Sequence, residues 1–189
     1  SLFCYDSPAL GQWLDAVSEG EVKRHFLVPA GRVVADVCRW LGRETYELDE
    51  PYQRGNVCIQ FIPFLSQRDY DLLLWSCDFN VVRGEDSFVR AQWAAKPFLW
   101  HIYPQQEGAH FPKLDAFLHC YTEGLSADLK AAVVGSWRAW NAGVLPADMQ
   151  GQLFAGGAEL MGHSARWCAR LEGQNNLAES LVQFYQNWV

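Results

Sequence analysis

Several features that would fix a chemistry at once are missing from this sequence. Its six cysteines, at positions 4, 38, 58, 77, 120 and 168, form no C-x-x-C pair. The five histidines, His25, His101, His110, His119 and His163, stand apart from one another and from the cysteines, so no zinc spacing exists. Dispersed thiols, several of them inside apolar runs, fit buried free cysteines of a cytoplasmic protein. No apolar run approaches the ~20 residues of a membrane span, and no basic-then-apolar leader opens the chain. No membrane partner is therefore expected.

Positive charge is also scarce. Fifteen Lys and Arg face 22 Asp and Glu, a formal net charge of -7, which argues against nonspecific binding to nucleic acid or anionic lipid. A local basic pocket for a small anion stays compatible with that balance. No G-x-x-x-x-G-K-[ST] occurs, which excludes a P-loop, and no G-x-S-x-G occurs. The first apolar stretch runs into Asp6-Ser7-Pro8-Ala9 instead of a G-x-G-x-x-G turn, against a nicotinamide dinucleotide. Repeats and low-complexity tracts are absent too.

What is present is apolar and aromatic. Half of the 189 residues are hydrophobic and nine are Trp, enough for one well-packed core with a helical appendage. The chain opens at Ser1 without a Met and enters a strand at once, which predicts an excised piece whose upstream half is missing.

The pattern alternates. Leu2 to Tyr5 reads as a first strand, and Ser7-Pro8 starts a helix carrying Leu10, Trp13, Leu14 and Val17. His25 to Val28 is a second strand, followed by a helix with Val33, Val34, Val37 and Leu41 that closes at Gly42. Residues 43–55 read as an exposed acidic connection, and Val57 to Ile62 as a third strand. A helix capped by Ser66 then buries Tyr70, Leu73, Leu74 and Cys77.

Asp78 to Pro104 forms the centre: a strand over Phe79 to Val82, a turn at Arg83-Gly84, a helix opened by Glu85-Asp86-Ser87 and ended at Lys96 by Pro97, and a strand over Phe98 to Tyr103. Beyond it the periodicity is helical. Leu114, Phe117, Leu118 and Tyr121 mark one helix, Leu129, Val133, Trp137 and Trp140 the next, and Leu153, Phe154, Leu160, Met161 and Trp167, then Leu177 to Trp188, the last. The expected fold is α/β, a Rossmann-like doubly wound parallel sheet in strand order 3-2-1-4-5 with additional C-terminal helices. The expected division is a Rossmann-like domain at 1–145 and C-terminal helices at 146–189 packing on it.

Ligands of such sheets meet the carboxyl ends of the strands, and there the Arg83-Gly84-Glu85-Asp86-Ser87 turn stands out. A helix N-terminus offers free N–H groups, and Arg83 adds a full charge and a planar fork, together a seat for phosphate. Glu85 or Asp86 suits vicinal hydroxyls of a ribose or hexose, though acids in a first helical turn also simply answer the macrodipole. Phe64, Gln67 and Tyr70, at the end of the third strand, suit an aromatic base and its amide edge, or a core Phe and a solvent-facing Gln. Phe3, Tyr5 and Tyr103 line a cleft or finish the core.

The run FLSQRDYDLLLWSCDFNVVRGEDSFVRAQWAAKPFLWHIYP, residues 64–104, resembles the bacterial protein-arginine rhamnosyltransferases that modify translation elongation factor P, the EarP family. The likeness extends over essentially the whole chain as the carboxyl-terminal half of such an enzyme. It implies one half of a GT-B glycosyltransferase, a nucleotide-sugar-binding domain that holds dTDP-β-L-rhamnose and passes rhamnose with inversion to an arginine of elongation factor P. The phosphate-seat turn, in a chain read as lacking a D-x-D metal motif, adds the expectation that no metal or other cofactor is used. The resemblance implies Phe64, Gln67 and Tyr70 at the thymine, and Arg83, Asp86 and Ser87 at the diphosphate, with Gly84 in the same donor-binding turn. Glu85 is implied on a ribose or as the catalytic acid of this half, with Phe3, Tyr5 and Tyr103 lining the donor site.

The acids that relieve the arginine of its proton, and most of the acceptor-docking surface, are implied in the amino-terminal half, and nothing here matches them. Donor binding without turnover is therefore expected of this chain alone. The alternative is a non-catalytic nucleotide-binding or docking module.

Overall fold

A computed structural model describes residues 1–145 and 157–188. Strands β1 (Arg24–Pro29) and β3 (Val57–Ile62) pair in parallel, with Arg24 opposite Val57 and Pro29 opposite Ile62. Strands β4 (Asn80–Arg83) and β5 (Phe98–His101) form a second parallel pair that brings Arg83 opposite His101. Residues 1–3 join the two. The Leu2 N–H donates to the Leu27 carbonyl at 2.9 Å, the Phe3 N–H donates to the Val81 carbonyl at 2.9 Å, and Leu2 bridges Val81 in parallel.

Two strands depart from the expected pattern. The stretch 43–55 is not wholly a connection, because Pro51–Arg54 forms β2, antiparallel to β3, and makes that edge mixed rather than parallel. An edge strand tolerates Pro51 and polar Gln53 and Arg54, and Gly55 at φ +56 turns the hairpin. The first strand, expected over Leu2 to Tyr5, shrinks to its bridge at Leu2. After Phe3 the chain leaves the ladder, and the Tyr5 ring packs edge-on against His101 at 5.3 Å. The lateral order is β2, β3, β1, residues 1–3, β4, β5, the expected order with β2 added.

The helices follow their apolar spacing. α1 (Leu10–Glu19) buries Leu10, Trp13, Leu14 and Val17 but begins after a turn in which the Ser7 hydroxyl accepts the Ala9 N–H, later than Pro8. α2 (Val33–Leu41) ends at Gly42, φ +69, as its sequence requires. α3 (Gln67–Ser76) is capped by Ser66, whose hydroxyl accepts the Asp69 N–H at 3.2 Å. α4 (Asp86–Trp93) stops short of Lys96 because Pro97 disfavours helical geometry before it and Ala95 turns to φ +55.

α5 (Phe111–Tyr121) and α6 (Ala127–Asn141) cover β5. On one face Phe88 stacks on Trp100 at 3.9 Å, and Phe98 meets Tyr121 and Trp137, each at 5.2 Å. On the other face Trp13 meets Phe26 and Trp140. Each buried aromatic removes about 150–250 Å² from water, so these rings dominate the core. Not every Trp joins it: Trp75, Trp93 and Trp188 are exposed.

α7 (Gly157–Glu172) is tied on by Trp167, whose indole N–H donates to Gln92 at 3.0 Å, and by His163 against the Tyr121 carbonyl. α8 (Leu177–Gln186) buries no residue. Leu153 and Phe154 lie outside the described residues. All six cysteines are free; Cys4, Cys38 and Cys168 are buried, but Cys120 is exposed, contrary to expectation. Among the described residues no helix is long and apolar enough to cross a membrane.

Candidate functional site

The site is built at the carboxyl ends of β4 and β5. Val81 and Val82 are fully packed, so β4 is rigid up to Arg83, where the chain must turn. Gly84 makes that turn at φ +65, a conformation costly for other residues, and a side chain there would meet the Tyr5 hydroxyl at 3.4 Å. Trp100 holds the turn from below, its indole N–H donating to the Gly84 carbonyl at 2.8 Å.

Aromatic rings surround the cation that leaves this turn. The Arg83 guanidinium lies over Phe3 at 4.5 Å and over Tyr5 at 5.0 Å. Phe3 touches Tyr70 edge-on at 5.5 Å, and Tyr5 touches Tyr103 at 5.6 Å. The structure thus gathers Phe3, Tyr5, Tyr70, Arg83, Gly84 and Tyr103 into one continuous patch. Burial pushes the Tyr70 phenol up to about 12, against the opposing influence of the Ser87 hydroxyl and of Arg83. It is therefore a neutral hydroxyl at any physiological pH.

The remaining expected residues differ in setting. Ser87 is buried in the first turn of α4, beside Tyr70. Gln67 opens α3, one turn before Tyr70 and on the same side of the helix, and is exposed. Phe64 is 78% exposed and packs into no core. An exposed aromatic of that size just beyond a strand is the opposite of a core Phe. Tyr103 is likewise 57% exposed.

The acids are engaged with cations. Glu85 accepts from the Lys113 ammonium at 2.8 Å across to α5, and Lys113 also lies 5.4 Å from the Trp100 ring centre. Glu85 occupies the N-cap position of α4 without capping it, so its carboxylate faces outward to Lys113 and solvent. Asp86 pairs with Arg90 at 2.8 Å, and Arg90 also takes both oxygens of Asp71 at 2.9 Å. Those carboxylates hold the Arg90 guanidinium above its ordinary value and lock α4 to α3.

Sequence reasoning missed Lys113, His101 and His110, and its reading that no D-x-D motif is present is wrong, since Asp69-Tyr70-Asp71 is such a triplet. Its two carboxylates are committed elsewhere, Asp69 to the Ser66 hydroxyl at 2.7 Å and Asp71 to Arg90. His101 had a readable signal: it ends the strand beside β4, in register with Arg83. Desolvation, with help from His110 and Arg83, pulls its imidazole down to about 4.

The family model described as the Elongation-Factor P (EF-P) rhamnosyltransferase EarP matches residues 1–186. A protein-arginine rhamnosyltransferase of Pseudomonas putida is 52% identical over 99% of this chain and 50% of its own length. One of Pseudomonas aeruginosa is 46% identical over 100% and 50%, and one of Shewanella oneidensis 35% identical over 97% and 48%. A solved structure described as the structural basis for EarP-mediated arginine glycosylation of translation elongation factor EF-P is 48% identical, with a TM-score of 0.83 over all of this chain and 60% of that one. The chain spans about half the length of the curated relatives it matches, and it belongs to the EarP family of elongation factor P rhamnosyltransferases.

Proposed function

We propose that this chain is the donor-binding half of a protein-arginine rhamnosyltransferase, a Rossmann-like half of a GT-B enzyme that holds dTDP-β-L-rhamnose. The observation that carries the reading is the Arg83-Gly84 turn: a cation flanked by Phe3 and Tyr5, followed at once by the N-terminus of α4 without a side-chain cap. Its N–H groups and the guanidinium suit a diphosphate. Exposed Phe64 stacks on the thymine, Gln67 reads its amide edge, and Tyr70, Asp86 and Ser87 border the nucleotide. Tyr5 and Tyr103 face the sugar side.

As the bond from rhamnose to the β-phosphate breaks, negative charge grows on that phosphate. Arg83 and the α4 N-terminus stabilise it in place, and no metal ion is required. Activity of the intact protein should survive EDTA; loss in EDTA restored by Mg²⁺ would overturn that step. The acceptor guanidinium is delocalised and protonated, a poor nucleophile, so carboxylates must orient it and take its proton as the new bond forms. Those carboxylates, and most of the docking surface for elongation factor P, belong to the amino-terminal half, with α8 packing towards it. Glu85 contributes an acid from this side. The free thiols suit a reducing cytoplasm.

The test is calorimetry with thymidine diphosphate. The chain should bind it saturably, and Arg83→Ala should weaken the binding, while the rhamnose-bearing donor should be bound without turnover; no binding by the unaltered protein would refute the reading.

A further inference from the structure

Among the buried polar atoms beside the candidate site that lack a hydrogen-bond partner are the Tyr70 hydroxyl and three nitrogens, Arg83 Nε, His101 Nδ1 and His110 Nε2. His101 is 5% and His110 6% exposed, so neither ring is satisfied by bulk water. Arg83 and His101 are register partners on neighbouring strands, and partners in register project to the same face. The Tyr5 ring touches both, with His101 at 5.3 Å and the Arg83 guanidinium at 5.0 Å.

His110 arrives from the loop that follows Tyr103, a loop bent by left-handed Glu107 and Gly108. Its Nδ1 accepts the Gln105 N–H at 3.1 Å, which assigns the ring hydrogen of the neutral form to Nε2. His101 lies within electrostatic reach of both His110 and Arg83. Two of the three nitrogens are thus fixed donors, and the third donates when its tautomer places the hydrogen on Nδ1. What such a set lacks is an oxygen with several lone pairs.

We propose that His101 and His110 are binding residues of this site, which with the Arg83 Nε–H take a phosphate oxygen of a nucleoside diphosphate beneath Tyr5. The inference rests on the donor-binding reading above and deepens it. An anion beside His101 opposes the effect of burial, so phosphate and proton should bind cooperatively. The titratable and charged groups facing His101 are Arg83 from β4, His110 from the loop and Tyr5 from the amino-terminal segment, and Trp140 of α6 packs edge-on against its ring at 6.0 Å.

The experiment is ¹⁵N imidazole NMR on the full chain during titration with thymidine diphosphate, the five histidines assigned by single His→Gln substitutions. The ring nitrogens of His101 and His110 should shift saturably, with the same midpoint as the backbone amides of residues 84–87. Affinity should also rise about three-fold more between pH 7.5 and 5.5 than it does in His101→Gln. The comparison is needed because the terminal phosphate titrates in that range itself. If the amides move and both rings stay still, this inference fails and the site stands. If neither moves, both fail. The ring shifts of the unaltered protein decide the matter even where a substituted one does not fold.

Discussion

The guanidinium of Arg83 sits 4.5 Å over the ring of Phe3, a residue 80 positions earlier that reaches it only because residues 1–3 run beside β4. The contact holds a flexible side chain in one orientation, with Tyr5 also under the cation, before any ligand arrives. The cost of ordering Arg83 is therefore met within the fold and not at the moment of binding.

From this follows a difference between two substitutions. Arg83→Ala should weaken thymidine diphosphate binding by roughly ten- to a hundred-fold, from a lost charged hydrogen bond of about 1.5–3 kcal/mol. Arg83→Lys should recover only part of that, since an ammonium lacks the planar fork. Calorimetry on both variants checks it; equal affinity of Arg83→Ala and the unaltered protein would remove Arg83 from the site.

Glu85 separates chemistry from helix electrostatics. Its ion pair with Lys113 is exposed on both sides, so Glu85→Gln should change unfolding free energy by less than about 1 kcal/mol. Rhamnosyl transfer by the intact protein carrying Glu85→Gln should nevertheless drop at least ten-fold, with the melting temperature nearly unmoved. Full activity in that variant would leave Glu85 only a partner of the helix dipole.

Acid should destabilise the fold through His101. Its folded imidazole titrates at about 4, below the ordinary value near 6.5, so in that window the unfolded state binds the extra proton. Stability is complete above about pH 6.5 and falls as pH drops towards 4, by on the order of 3 kcal/mol from this group. His163, held down mainly by burial, acts in the same direction. Urea unfolding from pH 7.5 to 4.5 should show this slope, and His101→Gln should flatten part of it.

Much of the architecture was legible because apolar spacing alone decides it. Leu10, Trp13, Leu14 and Val17 face inward as their period requires, and Ser66 caps α3 as its position demands. Gly84 takes the left-handed turn that a strand-to-helix corner calls for. β2 was not legible, since Pro51 and the acids before it carry turn chemistry while the pairing of Pro51–Arg54 depends on the distant edge of β3. The short first strand escaped for a similar reason: the sequence of Cys4-Tyr5 suits a strand, and contacts with His101, Tyr103 and the Arg83 guanidinium draw Tyr5 away.

The site divides along the same line. The Arg83-to-Ser87 turn is local and could be read from adjacent residues. Lys113 on Glu85 and the unpaired nitrogens of His101 and His110 arise from packing between separate elements, which no spacing rule encodes.

The most direct measurement is a crystal structure of the chain with thymidine diphosphate. The expected result is the diphosphate on the N–H groups that open α4, within hydrogen-bond distance of the Arg83 guanidinium, with thymine stacked on Phe64. A nucleotide bound at another place, with residues 83–87 unengaged, would contradict it.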